Sequence, residues 1–225
     1  MNYTPLILSL KIAGIATCIV LIFGILFARM LARNHFPGKR IIESILLLPL
    51  VLPPTVVGFG LLYLFGKNGP VGSILLQLFD FQVVFTWVGA VIAATVVSFP
   101  LMYQSASAAF QTYDPNIENA AYTMGASKWR VFWTISFPLA WPGLLAGLVL
   151  TFARALGEFG ATLMIAGYIP NKTDTIPLAI YFAVESGETD KAVFWVISML
   201  VIGFSAILWL NWWSARNILK FTSIK

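Results

Sequence analysis

The stretch from Ile45 to Phe65, ILLLPLVLPPTVVGFGLLYLF, carries no charge and does not alternate apolar with polar residues. A strand of a membrane barrel has to alternate, because one face meets lipid and the other the lumen. A helix is free of that constraint, since its backbone hydrogen bonds are all satisfied within the segment. At 1.5 Å per residue, about 20 apolar residues cross the roughly 30 Å of bilayer hydrocarbon, so this stretch is long enough to span. Four more pass the same test, giving expected spans at about 7–32, 43–66, 84–109, 140–168 and 193–215. The sequence therefore predicts an all-α integral membrane protein with about five transmembrane helices.

Composition agrees. Of 225 residues 59% are hydrophobic and only 10% charged, with a net charge of +5, whereas soluble domains carry about 25% charged residues. The first apolar stretch is too long for a signal peptide and has no basic region before it, which argues against cleavage. The links between the expected spans are short, so residues 1–225 read as a single membrane domain. Five spans make a small bundle for enclosing a polar path, which favours a pair of chains as the working unit. Gly143 and Gly147 form a small-xxx-small pair that permits close helix contact, one reading of which is a subunit contact.

Lysine and arginine set the expected orientation. Arg29, Arg33, Lys39 and Arg40 follow the first span, Lys128 and Arg130 follow the third, and Arg216, Lys220 and Lys225 lie in the tail. The alternate set holds only Lys11, Lys67, Lys172 and Lys191, the last beside Glu185, Glu188 and Asp190. The N-terminus is thus expected outside and the C-terminus in the cytoplasm.

The third link, 114–138, reads as neither span nor ordinary loop. Asp114 followed by Pro115 is an N-cap with proline at the first helical position. Ile117, Ala120, Ala121 and Met124 then fall on one apolar stripe, opposite Asn116, Asn119 and Thr123. Glu118 sits in the first turn, where negative charge suits the helix dipole. Gly125 supplies a residue that can end the helix in the left-handed conformation. Two readings fit: an interfacial helix anchored by Trp129, Phe132 and Trp133, or a docking helix for a cytoplasmic partner.

Inside the spans, Pro53 and Pro54, with Pro49, Thr55 and Gly58, must kink or open the second helix. The bend either borders a pore or serves packing alone. Arg154 and Glu158 stand four apart on the fourth span and can pair. They are either a self-neutralising structural pair or part of a translocation path or gate, with Gly157 and Gly160 permitting close packing or a hinge. Cys18 lies in an apolar run, and His35 has no second ligand near it, so neither a disulfide nor a metal site is expected. No cofactor, catalytic residue or nucleic-acid partner is called for. The phosphate-cradling pattern G-x-x-x-x-G-K-[ST] is absent, so any ATP hydrolysis has to come from another polypeptide.

The spacing Ala120-Ala121, Gly125, Ile135, Pro138 resembles the motif of bacterial ABC-transporter membrane subunits, E-A-A-x3-G-x9-I-x-L-P. Here Asn119 stands before the alanines, the glutamate is one place earlier at Glu118, and Phe137 replaces leucine. HFPGKR, LPLVLPPTVVGFGLLYLFGKNGPVG, RVFWTISFPL and FARALGEFGAT extend the likeness over nearly the whole chain, within the molybdate, tungstate and sulfate permease family and nearest to molybdate permeases. The resemblance implies a homodimeric permease in the bacterial cytoplasmic membrane, in contact with membrane lipid. It also implies two cytoplasmic ATP-binding subunits and an extracytoplasmic oxyanion-binding protein. Glu118, Ala120, Ala121, Gly125, Ile135 and Pro138 are then the expected coupling residues. Pro53, Pro54, Thr55, Arg154, Gly157 and Glu158 are the expected path or gate. Sulfate, thiosulfate or tungstate are the alternative cargoes; a channel or ion-coupled carrier is the rival from another class. An intramembrane enzyme would need a nucleophile or metal set that the spans lack.

Overall fold

A computed structural model describes residues 3–33 and 36–222. His35 and Lys225 lie outside the described residues. Helices account for every regular element described: α1 Thr4–Arg33, α2 Lys39–Val51, α3 Pro54–Phe65, α4 Gly72–Phe79, α5 Trp87–Gln111 and α6 Pro115–Thr123. Then follow α7 Lys128–Leu156, α8 Gly160–Ala166, α9 Ile176–Glu185 and α10 Thr189–Thr222.

Helices α1, α5 and α7 form the centre. Their contact faces are built from small residues, with Ala13, Ala16, Ala94, Ala106, Ala109 and Ala140 all buried. Without a hydrophobic driving force in lipid, close backbone approach supplies the attraction through dispersion, and small side chains allow it. Gly143 and Gly147 serve this packing within the chain. A Cβ at Gly143 would sit 2.7 Å from Ala109 Cβ, and one at Gly147 would sit 2.6 Å from Ser105 Cβ. Both face α5 of their own chain, so the subunit-contact reading of this pair gives way to an internal one. Leucine, isoleucine and phenylalanine such as Ile7, Ile22, Phe23 and Phe204 point outward, as lipid-facing residues do.

Among the described residues, four helices are long and apolar enough to cross a membrane, and the bent pair α2 and α3 is a fifth candidate. The expected span 43–66 is this pair, whose axes meet at 113°. Leu52 is extended, as a residue before proline tends to be, and Pro53 precedes the first turn of α3.

The expected span 140–168 is displaced. Its helix begins at Lys128, capped by the Ser127 side chain accepting from Arg130 N, and ends at Leu156, before a break over Gly157–Phe159 and the short α8. Pro138 looks like a helix stop, yet α7 runs through it. One π-turn, Phe132–Ser136, precedes the proline, and Phe137 N donates five residues back to Phe132 O. The wider turn makes room for a ring that would otherwise press on the Thr134 carbonyl.

Candidate functional site

Two places bring the sequence-predicted residues together, at opposite ends of α7. The first is the link 114–138. Asp114 Oδ1 accepts from Asn116 N at 2.9 Å and opens α6. At the other end Gly125 takes φ 83°; its N–H donates to Tyr122 O at 2.9 Å, and Ala126 N donates to Ala121 O at 3.0 Å. That paired pattern is the Schellman closure, which needs a left-handed residue at this place.

The apolar stripe of α6 faces away from the bundle: Ile117 is 45% and Met124 85% exposed. Glu118 points the other way and is 1% exposed. Its Oε1 accepts from Arg29 Nη1 at 2.9 Å, Tyr113 Oη at 2.5 Å and Ser136 Oγ at 2.7 Å, and its Oε2 accepts from Arg29 Nη2 at 2.8 Å. Burial by itself would push this carboxyl upward. The hydrogen bonds from Arg29, Tyr113 and Ser136, with the guanidinium charge, outweigh it and hold the group at about 2. One carboxylate therefore joins the end of α1, the start of α6 and the π-turn of α7.

Arg29, Tyr113 and Ser136 are functional candidates that sequence reasoning missed. Arg29 counted only as an orientation charge, and nothing in linear spacing linked it to a glutamate 89 positions away. Of the other expected coupling residues, Ala120 and Pro138 are exposed, while Ala121 and Ile135 are half-buried.

The second place is where the two helix breaks meet. Helix α3 lies against α8. A Cβ at Gly58 would sit 2.7 Å from Ala161 Cα, and one at Gly160 would sit 3.1 Å from Pro54 Cβ and 3.5 Å from Thr55 Cγ2. Pro53, Pro54 and Thr55 are exposed beside this contact. Glu158, 3% exposed, stands in the break between α7 and α8. One oxygen accepts from Ala161 N at 2.8 Å, and the other lies 2.8 Å from Arg154 Nη1. Gly157 is half-buried, 3.4 Å at its would-be Cβ from Met199 Cε. The structure thus gathers all six expected path residues around one junction of two interrupted helices. Freed backbone groups at membrane depth are tolerated where they meet protein or line a cavity, and such junctions are where transporters place their passages.

Among the described residues, no three His, Cys, Asp or Glu side chains come together as a metal set.

Comparison with known proteins concerns the chain as a whole. The family model described as a binding-protein-dependent transport system inner membrane component matches residues 20–218. YvgM of Bacillus subtilis (strain 168) is 50% identical, covering 93% of this chain and 92% of its own length. The molybdenum transport system permease protein ModB of Escherichia coli (strain K12) is 46% identical, covering 96% of this chain and 94% of its own. Two solved structures share the fold. One is a bacterial ABC transporter involved in the import of the acidic polysaccharide alginate, with TM-score 0.72 and 19% identity over 96% of this chain and 80% of that chain. The other is the inward-facing MetNI methionine ABC transporter, with TM-score 0.71 and 12% identity over 94% of each chain.

Proposed function

The chain belongs to the family of binding-protein-dependent transport system inner membrane components, and on that premise we propose that it is the permease subunit of an ATP-driven importer for an oxyanion, molybdate first. The observation that carries the reading is the construction of α6. Its apolar stripe is open to solvent while Glu118, on its flank, ties it to two long helices. A short helix held in this way passes a push from an outside partner into the bundle without bending. The partner is a cytoplasmic ATP-binding subunit, two of which serve two copies of this chain. An extracytoplasmic binding protein delivers the oxyanion.

In this reading α6 and the residues from Lys128 to Pro138 form the coupling segment, with Ala120, Ala121 and Gly125 at the contact and Glu118 behind it. Residues 1–225 act as one transmembrane domain. Arg29, Lys39 and Lys128 share the α6 end of the molecule, which supports a cytoplasmic α6, an external N-terminus and a cytoplasmic C-terminus. Helix α2 has no buried residue in a single chain, which supports a second copy or lipid against it. Cargo crosses where α3 meets α8, beside Pro53, Pro54 and Thr55. Arg154 and Glu158 neutralise each other there, so the oxyanion passes the junction without being captured by a lone cation.

Reconstitution of the chain with its ATP-binding and binding-protein partners in liposomes tests this. ATP-dependent uptake of molybdate, blocked by tungstate more strongly than by sulfate, is expected, and Gly125→Pro should abolish it while the chain stays inserted. Uptake that needs an ion gradient and no ATP would overturn the reading in favour of a carrier.

A further inference from the structure

We propose that the groove between the lower half of α1 and the start of α7 is a binding site for one anionic phospholipid of the leaflet nearest α6. The two helices pack together higher up and part toward this end, leaving a groove of about 960 Å³, at the upper limit of the roughly 300–1,000 Å³ that ligand sites occupy.

Its walls are graded from apolar to polar in the same direction. On α1, Leu21, Ile22, Ile25 and Leu26 lead to Arg29. On α7, which runs the opposite way, Phe137, Trp133 and Phe132 lead to Trp129 and Lys128. At about 1.5 Å per residue, the climb from Leu21 to Arg29 covers about 12 Å, close to the depth of one leaflet of a roughly 30 Å hydrocarbon core. Trp129 and Trp133 stand at the level where tryptophan favours the headgroup boundary.

The charge at the mouth selects the headgroup. Arg29 and Glu118 cancel through their bidentate pair. Lys128 is exposed and makes no hydrogen bond or ion pair among the described residues. Among the described side chains that line the groove, Lys128 is therefore the uncompensated positive charge at the polar end of an apolar slot. A lipid with a singly negative headgroup matches both halves, and a basic pocket between membrane helices attracts such a headgroup. Asn119 and Tyr122 of α6 complete the mouth, so the bound lipid would touch the motif helix itself.

The site depends on the membrane setting and not on the cargo, so its test stands apart from the transport assay. The intact chain, with whatever subunits accompany it, is placed in nanodiscs of equal phosphatidylglycerol and phosphatidylcholine, and the lipids retained after release are counted by native mass spectrometry. Phosphatidylglycerol should be retained over phosphatidylcholine by about fivefold, the factor expected for one basic residue near the surface. Lys128→Gln should remove that preference, and Ile22→Trp, which fills the slot at an outward-facing position, should reduce retention of both lipids. Equal retention of the two lipids by the unaltered chain overturns the proposal. So does a preference that survives Lys128→Gln, or an Ile22→Trp chain that retains lipid unchanged. Cross-linking of Ile22→Cys to Trp133→Cys of a second copy would assign the groove to protein instead.

Discussion

Both ends of α7 hold a buried glutamate against an arginine, and the two pairs are built in opposite ways. Glu118 gathers its donors from afar: Arg29 lies 89 positions away, Ser136 18 and Tyr113 five. Glu158 gathers them from its own neighbourhood, Arg154 four positions back and Ala161 N three ahead. The first is a rivet through three elements. The second is a splint across one break. A rivet ties α6, α1 and α7 to one another, whereas a splint holds the local shape of one break. In the function proposed above, transmission draws on the first kind of tie and the passage on the second.

Neutralising the carboxylates should break this contrast most visibly. Glu118→Gln places an amide among four donor contacts and cannot accept them all, so it should cost about 3 kcal/mol, the upper range for hydrogen bonds to a charged group. Glu158→Gln can keep Ala161 N on its remaining carbonyl, and the half-exposed Arg154 can turn toward solvent, so about 1 kcal/mol is expected. Unfolding of both variants in mixed micelles measures the difference. Equal costs would make the two sites equivalent and remove the distinction.

A smaller effect separates near from far. Arg29→Ala should speed amide exchange in Pro115–Thr123 by about tenfold, because the helix loses its tie to α1 and opens locally. Arg154→Ala should leave that exchange unchanged, its consequences being confined to 157–161. Acceleration of α6 by both would show that the splint also reaches across elements.

The last test is in pH. Glu118 titrates near 2 in the folded chain against an ordinary value of 4.5. Because the folded value is depressed, its contribution is full above 4.5 and disappears as pH falls from 4.5 toward 2. Thermal midpoints of the chain and of Glu118→Gln should therefore run parallel between pH 5 and 8 and converge only below 4.5. Convergence at neutral pH would mean that the carboxylate is not held by its donors.

Much of this was legible beforehand where local rules govern. Asp114-Pro115 and Gly125 mark the bounds of α6 because capping depends on residues within a few positions, and Pro53-Pro54 announces the break between α2 and α3 for the same reason. Glu118 was not legible in its orientation. On a helical wheel of about 100° per residue it falls on a flank between the apolar stripe and the polar side, next to Ala121 and Tyr122, and a charged side chain there ordinarily turns to water. Here Arg29, Tyr113 and Ser136 draw Glu118 alone inward, while Asn116, Asn119 and Thr123 stay exposed along with Ile117 and Met124. The start of α7 was hidden because Pro138 has the signature of a stop, and only the π-turn before it, which depends on backbone geometry, lets the helix pass. Gly143 and Gly147 showed that something approaches closely, but a spacing of four cannot tell whether the neighbour is α5 or another chain.

That π-turn is in effect an insertion the fold has retained. Removing one residue from Phe132–Ser136 would restore an ordinary turn and rotate Lys128–Val131 by about 100° against the remainder of α7. The connection to α6 would swing round the helix, and Ser136 and Arg29 could no longer meet the same carboxylate. The number of residues between Gly125 and Pro138 is thus a dimension of the molecule. Exposed side chains along that interval, such as Thr134, can be exchanged at modest cost, but its length cannot.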